Sequence, residues 1–175
     1  MMQLMKGYTH IYTGDGKGKI TAALGLLLRA VGAGLRVYFG QFLKDGKSSE
    51  ILTLKNRFPE VVVESFGTGR LIRAMPSTKD IASARSGLMR LHQALASGRY
   101  DVVIADEIHV AVSLGMLGCE EVLALIRGKP GNVELVLTGR SADRRLYKVT
   151  DLVTEARCIK HYWCKGVDAR KGIEK

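Results

Sequence analysis

Short apolar runs alternate with longer stretches of helical periodicity along the chain, and this alternation predicts a parallel α/β sheet. The predicted strands cover residues 7–13, 35–42, 61–66, 100–105, 133–138 and 152–158. The predicted helices cover residues 20–33 and 78–97 and two short segments around 110–117 and 120–127. No internal repeat or linker divides the 175 residues. We therefore expect one domain over residues 1–175, with a basic tail at about 159–175.

A loop rich in glycine and lysine follows the first predicted strand, where residues 13–21 are T-G-D-G-K-G-K-I-T. Backbone N–H groups of such a loop and the N-terminus of the next helix favour a bound anion, and Lys19 adds a full positive charge. Glycines at 14, 16 and 18 allow the backbone to approach a ligand closely. The alternative is a tight turn that merely requires glycine, but two lysines beside three glycines favour a phosphate site.

The spacing of this loop differs from the Walker A pattern, G-x-x-x-x-G-K-[ST]. Counted back from Gly18, the first Walker glycine would fall on Thr13, and Gly14 stands one residue too late. Ile20 occupies the position whose hydroxyl contacts Mg²⁺ in that pattern. Thr21 has a hydroxyl, but one residue along a helix turns a side chain by about 100°. The sequence therefore predicts a variant phosphate loop.

Two further motifs follow predicted strands. Asp106 and Glu107 come directly after V-V-I-A, as in a Walker B strand. The carboxyl ends of parallel strands share one edge of the sheet, so we expect these acids near the loop, holding Mg²⁺ directly or through water. The alternative is an acid pair at a helix N-terminus. Arg140, in L-T-G-R, is a second candidate phosphate ligand, although a surface ion pair explains it nearly as well.

Composition and charge narrow the function classes. The formal net charge is +10, but the basic residues are spread along the chain and no aromatic residues interleave with them to stack bases. A basic surface that attracts a polyphosphate ligand is therefore favoured over nucleic-acid binding. The three cysteines are odd in number and form no C-x-x-C pair, which predicts reduced thiols. His109 and His161 are isolated and receive no catalytic role.

No secretory signal opens the chain, and Arg29 interrupts its most apolar stretch. We therefore expect a cytoplasmic protein without membrane association.

The ordered motifs resemble the ATP:corrinoid adenosyltransferases of the CobA, CobO and BtuR type. They are Y-T-G-D-G-K-G-K-x-T-A-A, L-R-A-V-G-A-G, Q-F-L-K, Y-D-V-V-I-A-D-E-I, V-L-T-G-R, D-L-V-T-E, K-H and A-R-K-G-I-E, from Gly7 to Glu174. The resemblance implies a RecA-like P-loop fold, a mostly parallel sheet with helices on both faces. It also implies transfer of the 5′-deoxyadenosyl group of ATP to a Co(I) corrinoid with release of triphosphate. The implied partners are a second copy of the chain and a flavoprotein reductase.

Site residues follow from matching these motifs position by position. The resemblance implies that Lys19 and Glu107 are catalytic and that Glu107 and Asp106 bind the metal. The implied nucleotide-binding residues are Thr13, Gly14, Asp15, Gly16, Lys17, Gly18, Lys19, Ile20, Thr21 and Arg140. The family usually has Thr-Thr after the lysine, an asparagine where His109 stands, and an aromatic residue after Glu174. A catalytically impaired relative that binds ATP or corrinoid as a carrier or sensor is the alternative function.

Overall fold

The computed structural model of the protein describes residues 4–70, 72 and 75–174. The strands in this part of the chain are β1 (Thr9–Thr13), β2 (Val37–Phe42), β3 (Val62–Phe66), β4 (Val102–Asp106), β5 (Glu134–Thr138) and β6 (Leu152–Glu155). The α-helices are α1 (Lys19–Gly32), α2 (Ser49–Arg57), α3 (Thr78–Ala96), α4 (Ile108–Ser113), α5 (Cys119–Arg127) and α6 (Arg144–Tyr147), and a 3₁₀-helix covers Tyr162–Lys165.

The strands form one sheet in the order β3-β2-β4-β5-β1-β6, and every neighbouring pair is parallel. The predicted α/β fold is therefore confirmed. All six strands end at the same edge, where α/β proteins bind their ligands. Strand β5 lies between β1, which leads into the glycine loop, and β4, which ends in Asp106.

Helices cover both faces of the sheet because alternate strand residues point to opposite sides. On one face, Val102 and Ile104 of β4 pack in a cluster with Ala23 and Leu27 of α1 and with residues of α2. On the other face, Val103 and Ala105 pack with residues of α3, α4, α5 and α6. Two apolar cores thus hold a rigid sheet that supports the loops at its carboxyl edge.

The structure differs from the sequence prediction mainly in short elements. The pattern did not predict α2, whose buried side chains are only Ile51 and Leu54, too few for a clear helical period. It also did not predict α6 or the 3₁₀-helix, each of four residues. Strand β6 ends at Glu155 because the next residue, Ala156, bonds to the glycine loop.

None of the helices in the described residues has the length and apolarity needed to cross a membrane.

Candidate functional site

The glycine loop is held against the chain segment that follows β6. Ala156 N–H donates to the Thr13 carbonyl at 2.8 Å, and Gly16 N–H donates to the Ala156 carbonyl at 2.7 Å. Gly14 has a φ of +95°, and a Cβ there would lie 2.4 Å from the Ala156 oxygen. A Cβ at Gly16 would lie 2.8 Å from the same oxygen. Glycine is therefore required at both positions, because two backbones meet there.

The Lys19 side chain closes the loop from the helix side. Its Nζ donates to the carbonyls of Gly14 at 2.6 Å and Gly16 at 2.7 Å. Burial, and then the nearby Arg140 guanidinium, lower the pKa of Lys19, while Glu107 acts in the opposite direction. Helix α1 begins at Lys19, and Gly18 before it supplies no side-chain cap to the N-terminal N–H groups. The ammonium and these N–H groups form a positively charged mouth suited to an anion.

Asp106 lies beneath the rim of the sheet rather than on it. It is only 1% exposed, and it accepts hydrogen bonds from Thr138 Oγ1 at 2.6 Å and Gln41 Nε2 at 3.0 Å. Burial raises the pKa of Asp106, and these two hydrogen bonds oppose the rise. The Thr138 hydroxyl also accepts the Glu107 N–H at 3.1 Å. Asp106 thus fixes the Glu107 backbone through Thr138.

Glu107 stands on the rim in a conformation that is rare for its residue type. Its φ is +60°, in the left-handed region, and such strain is frequent at functional sites. Leu43 after β2 and Ser141 after β5 also have positive φ, so three strained residues follow strands at the same edge. Burial and then Asp106 raise the pKa of Glu107, while Lys44, Lys19 and Arg140 oppose the rise.

A cavity of about 340 Å³ opens in front of Glu107. Its lining combines apolar side chains with charged ones and consists of Leu43, Lys44, Asp45, Ser48, Gly69, Arg70, Ile72, Glu107, Val110 and Leu114. Arg70 Nη2 donates to Asp80 Oδ2 at 2.8 Å. The Asp80 carboxylate is buried and also accepts hydrogen bonds from the Thr68 hydroxyl and the Ser77 N–H. The cavity therefore has charged side chains of both signs beside an apolar wall.

Comparison with known proteins identifies the family. A family model described as ATP:corrinoid adenosyltransferase BtuR/CobO/CobP matches residues 5–174. This chain belongs to that family. It is 34% identical over 170 residues to a corrinoid adenosyltransferase of Pseudomonas aeruginosa, covering 97% of this chain and 84% of that protein. It is 33% identical over 170 residues to the corrinoid adenosyltransferase CobA of Salmonella typhimurium, covering 97% of this chain and 86% of that protein.

Ile20 departs from the residue expected in an ATP:corrinoid adenosyltransferase. Its partly buried side chain packs against the core beneath α1. The adjacent Thr21 is exposed. Both residues line a second cavity, of about 310 Å³, between α1 and α2. Ile20 therefore contributes packing where a hydroxyl was expected.

The structure places the glycine loop, Glu107 and Arg140 at the carboxyl edge of the sheet, where the sequence predicted them. Arg140 is close enough to both Lys19 and Glu107 to affect the pKa of each. Gly139 before it has a φ of +136°, and a Cβ there would lie 3.0 Å from His109 Cβ. The glycine thus lets the turn that carries Arg140 pass over helix α4.

Four residues that contact or line the candidate site were not predicted from the sequence as site residues: Gln41, Thr138, Lys44 and Arg70. Lys44 and Arg70 lie within four residues of the ends of β2 and β3. A basic residue just after a predicted strand is the feature from which the sequence could have predicted them. Thr138 and Gln41 lie in buried strands. A polar residue among apolar neighbours is the feature from which the sequence could have predicted these two.

His109 is part of the protein core. It is 0% exposed, and neither ring nitrogen has a hydrogen-bond partner among the described residues. Burial lowers the pKa of His109 to about 4, so the ring is neutral near pH 7. His161 lies in the tail, where its ring packs on Tyr162 at 4.6 Å between centroids. Neither histidine faces Glu107 in the cavity lining.

No group of three or more histidine, cysteine or acidic side chains within the described ranges is placed to hold a metal ion. A metal at this site would therefore need oxygen ligands from the nucleotide and from water beside those of the protein. Glu107 offers the right donor chemistry, since carboxylate oxygens suit Mg²⁺.

Proposed function

We propose that this protein transfers the 5′-deoxyadenosyl group of ATP to the Co(I) centre of a reduced corrinoid and releases triphosphate. One observation carries the proposal: a lysine-closed glycine loop and the carboxylate of Glu107 share one edge of the sheet with a partly apolar cavity. A triphosphate fits the cationic loop, and the cavity can accept a large ligand beside it. Membership of the family supports the same chemistry.

The reaction is a displacement at C5′ of ATP. The cobalt electron pair forms the Co–C5′ bond, the C5′–O bond breaks, and triphosphate departs with that bonding pair while cobalt goes formally from Co(I) to Co(III). No proton moves in this step, so alignment of the two centres and stabilisation of the departing charge are what the protein must supply. Lys19, Arg140 and the N-terminal N–H groups of α1 supply positive charge for the leaving group.

Mg²⁺ fits the acidic part of this site. Burial and the neighbouring Asp106 make ionised Glu107 costly, and a bound cation would offset that cost. We therefore assign Glu107 as the protein ligand, with Asp106 holding it in place through Thr138. When bound, the metal would neutralise charge on the triphosphate.

The corrinoid is assigned to the cavity in front of Glu107. Leu43, Ile72, Val110 and Leu114 offer apolar contact to part of a corrin ring. Lys44 and Arg70 in the same lining offer donors to amide or carboxylate groups at the ring edge. A homodimer and a flavoprotein reductase that delivers Co(I) remain part of the proposal, as does a cytoplasmic location.

Incubation with ATP, Mg²⁺ and chemically reduced cobalamin tests the function. We expect the visible spectrum to change to that of an adenosylated corrinoid, with one triphosphate released for each adenosyl group transferred. Lys19→Met should lower the rate by about 100-fold, a typical loss when a charged group that stabilises the transition state is removed. Lys148→Met is the matched control, because Lys148 is exposed and precedes β6 at the opposite edge of the sheet.

Two results would argue against this function. If ATP binds but neither adenosylated product nor triphosphate forms, the protein is a carrier or sensor. If both lysine variants lose activity equally, the loop is not the triphosphate site.

A further inference from the structure

Four side chains join the glycine loop to the tail, and we call this group the clasp: Lys17, Tyr162, Arg170 and Glu174. Lys17 Nζ donates to Glu174 Oε1 at 2.9 Å and to the Tyr162 hydroxyl at 3.1 Å. The Tyr162 hydroxyl in turn contacts Glu174 Oε1. Arg170 reaches the same carboxylate, with its Nη2 3.2 Å from Oε1. One carboxylate thus gathers three donors from two distant parts of the chain.

The clasp is a compact structure and not a loose surface ion pair. Arg170 N–H donates to Glu174 Oε2 at 2.9 Å, and Glu174 N–H donates back to the Arg170 carbonyl at 3.0 Å. The Arg170 guanidinium also lies 4.9 Å from the centre of the Tyr162 ring. Only 15% of the Glu174 side chain is exposed. Arg170, Tyr162 and Lys17 together lower the pKa of Glu174, so the carboxylate stays charged.

The clasp places the tail beside the first turn of α1. Gly172, with a φ of +79°, lies in the turn between Arg170 and Glu174. Gly172, Ile173 and Glu174 then line the second cavity together with Ile20 and Thr21 of α1. Residues 172–174 therefore form a wall next to the positively charged mouth of the loop.

The two loop lysines have different partners. Lys19 donates to loop carbonyls, whereas Lys17 donates to the tail. Lys17 is therefore a link between loop and tail, although it belongs to the phosphate-loop motif.

We propose that Glu174 is a positioning residue of the nucleotide site: through Lys17, Tyr162 and Arg170 it holds residues 172–174 against the loop, so that the tail forms one wall around bound ATP. The proposal rests on the proposed function only in naming ATP as the ligand. Its physical reason is preorganisation, because a wall that is already ordered need not be ordered when the ligand binds.

Glu174→Gln removes the charge of the carboxylate and keeps its shape. Asp168→Asn is the matched control, since it removes one negative charge from the same tail at an exposed residue that makes no ion pair within the described residues. Calorimetric titration with ATP measures the dissociation constant, and limited trypsin digestion at Lys165, Arg170 and Lys171 measures how firmly the tail is held. Urea unfolding checks that both variants remain folded.

We expect Glu174→Gln to raise the dissociation constant of ATP about tenfold, the size of effect given by losing charge-assisted hydrogen bonds. The KM for ATP should rise likewise, with kcat at saturating ATP little changed, and tail cleavage should accelerate. Asp168→Asn should leave all four quantities as in the wild type. Equal ATP binding by Glu174→Gln would overturn the proposal, because Glu174 would then have no effect on the nucleotide site. Tighter binding would also overturn it, because Glu174 would then compete with the triphosphate for Lys17.

Failure of the proposed function would look different. In that case wild-type protein would not bind ATP, yet Glu174→Gln would still speed tail cleavage relative to Asp168→Asn. Unchanged cleavage in Glu174→Gln would instead refute the clasp itself, whatever the ligand.

Discussion

Replacing Thr138 by valine should separate the role of Asp106 from that of Glu107. Valine nearly matches threonine in shape, so the change removes little beyond the hydroxyl at a fully buried position. Two hydrogen bonds disappear: the 2.6 Å bond from Thr138 to Asp106 and the 3.1 Å bond from Glu107 N–H to Thr138. Among the described residues, Asp106 then keeps Gln41 as its side-chain donor, and the Glu107 N–H loses its acceptor.

The expected loss of folding stability follows from the hydrogen bonds that Asp106 and the Glu107 N–H lose. The loss of one hydrogen bond together with a buried N–H left without a partner predicts a destabilisation of about 2–4 kcal/mol. This is less than the total stability of about 5–15 kcal/mol that is ordinary for a domain, so the variant should fold. Glu107 would also lose the constraint on its strained backbone, and adenosyl transfer should slow more than ATP binding weakens.

The destabilisation should depend on pH in a defined direction. Burial already raises the folded-state pKa of Asp106 above its ordinary value of 3.8. A carboxyl whose pKa is higher in the folded than in the unfolded state makes the protein less stable as pH rises through the folded-state pKa. Below about 3.8, where the carboxyl is protonated in both states, this loss of stability is absent. Removing the Thr138 donor raises the pKa further. The difference between Thr138→Val and wild type should therefore grow as pH rises above 3.8 towards and beyond the folded-state pKa of Asp106, and shrink as the solution is acidified.

Urea unfolding followed by circular dichroism at several pH values measures this difference. Thr9→Val is the matched control, because Thr9 is also a buried strand threonine, whereas Asp106 and the Glu107 N–H bond to the Thr138 hydroxyl. Thr9→Val should cost less, and its effect should not vary with pH. A loss below about 1 kcal/mol for Thr138→Val, or a loss independent of pH, would refute the role assigned to Asp106.

Three further changes test other parts of the site. Gly16→Ala should destabilise the protein by about 1–3 kcal/mol and weaken ATP binding, because the new Cβ would lie 2.8 Å from the Ala156 oxygen; unchanged calorimetric binding would contradict this. Ile20→Thr should raise the apparent Mg²⁺ affinity or the rate while lowering stability by about 1 kcal/mol through lost packing, and unchanged kinetics would mean that a hydroxyl there has no role. The wild type should lose about 3 kcal/mol of folding stability as pH falls from 6.5 towards about 4, because the pKa of His109 is lower in the folded than in the unfolded state. His109→Phe should remove this loss. Parallel curves of stability against pH for the two proteins would contradict the prediction.

Much of the fold was predictable because its signals are local. The runs V-V-I-A before Asp106 and I-Y-T before Gly14 gave strands at the right places, since apolar periodicity depends on neighbouring residues. Helix α2 escaped because only Ile51 and Leu54 are buried along it, so its position depends on the core it covers.

The candidate site was predictable as a location and only partly as an arrangement. Parallel strands share a carboxyl edge, so the glycine loop, Glu107 and Arg140 had to meet there. Asp106 shows the limit of that argument, because β4 ends at Asp106 and the chain turns at Glu107 with a φ of +60°, and the sequence could not tell which of the two acids would be buried.

The sequence by itself determined the α/β order of elements, the position of the loop rich in glycine and lysine, and the family, because each is encoded in residues that are neighbours along the chain. Only the tertiary structure decided which side chains act together. Lys17 meets Glu174 across 157 residues and Asp106 meets Thr138 across 32. Such pairs depend on the order of strands in the sheet and on how the tail returns to the loop. No local pattern records them, since their free energy arises from contacts that exist only after the chain has folded.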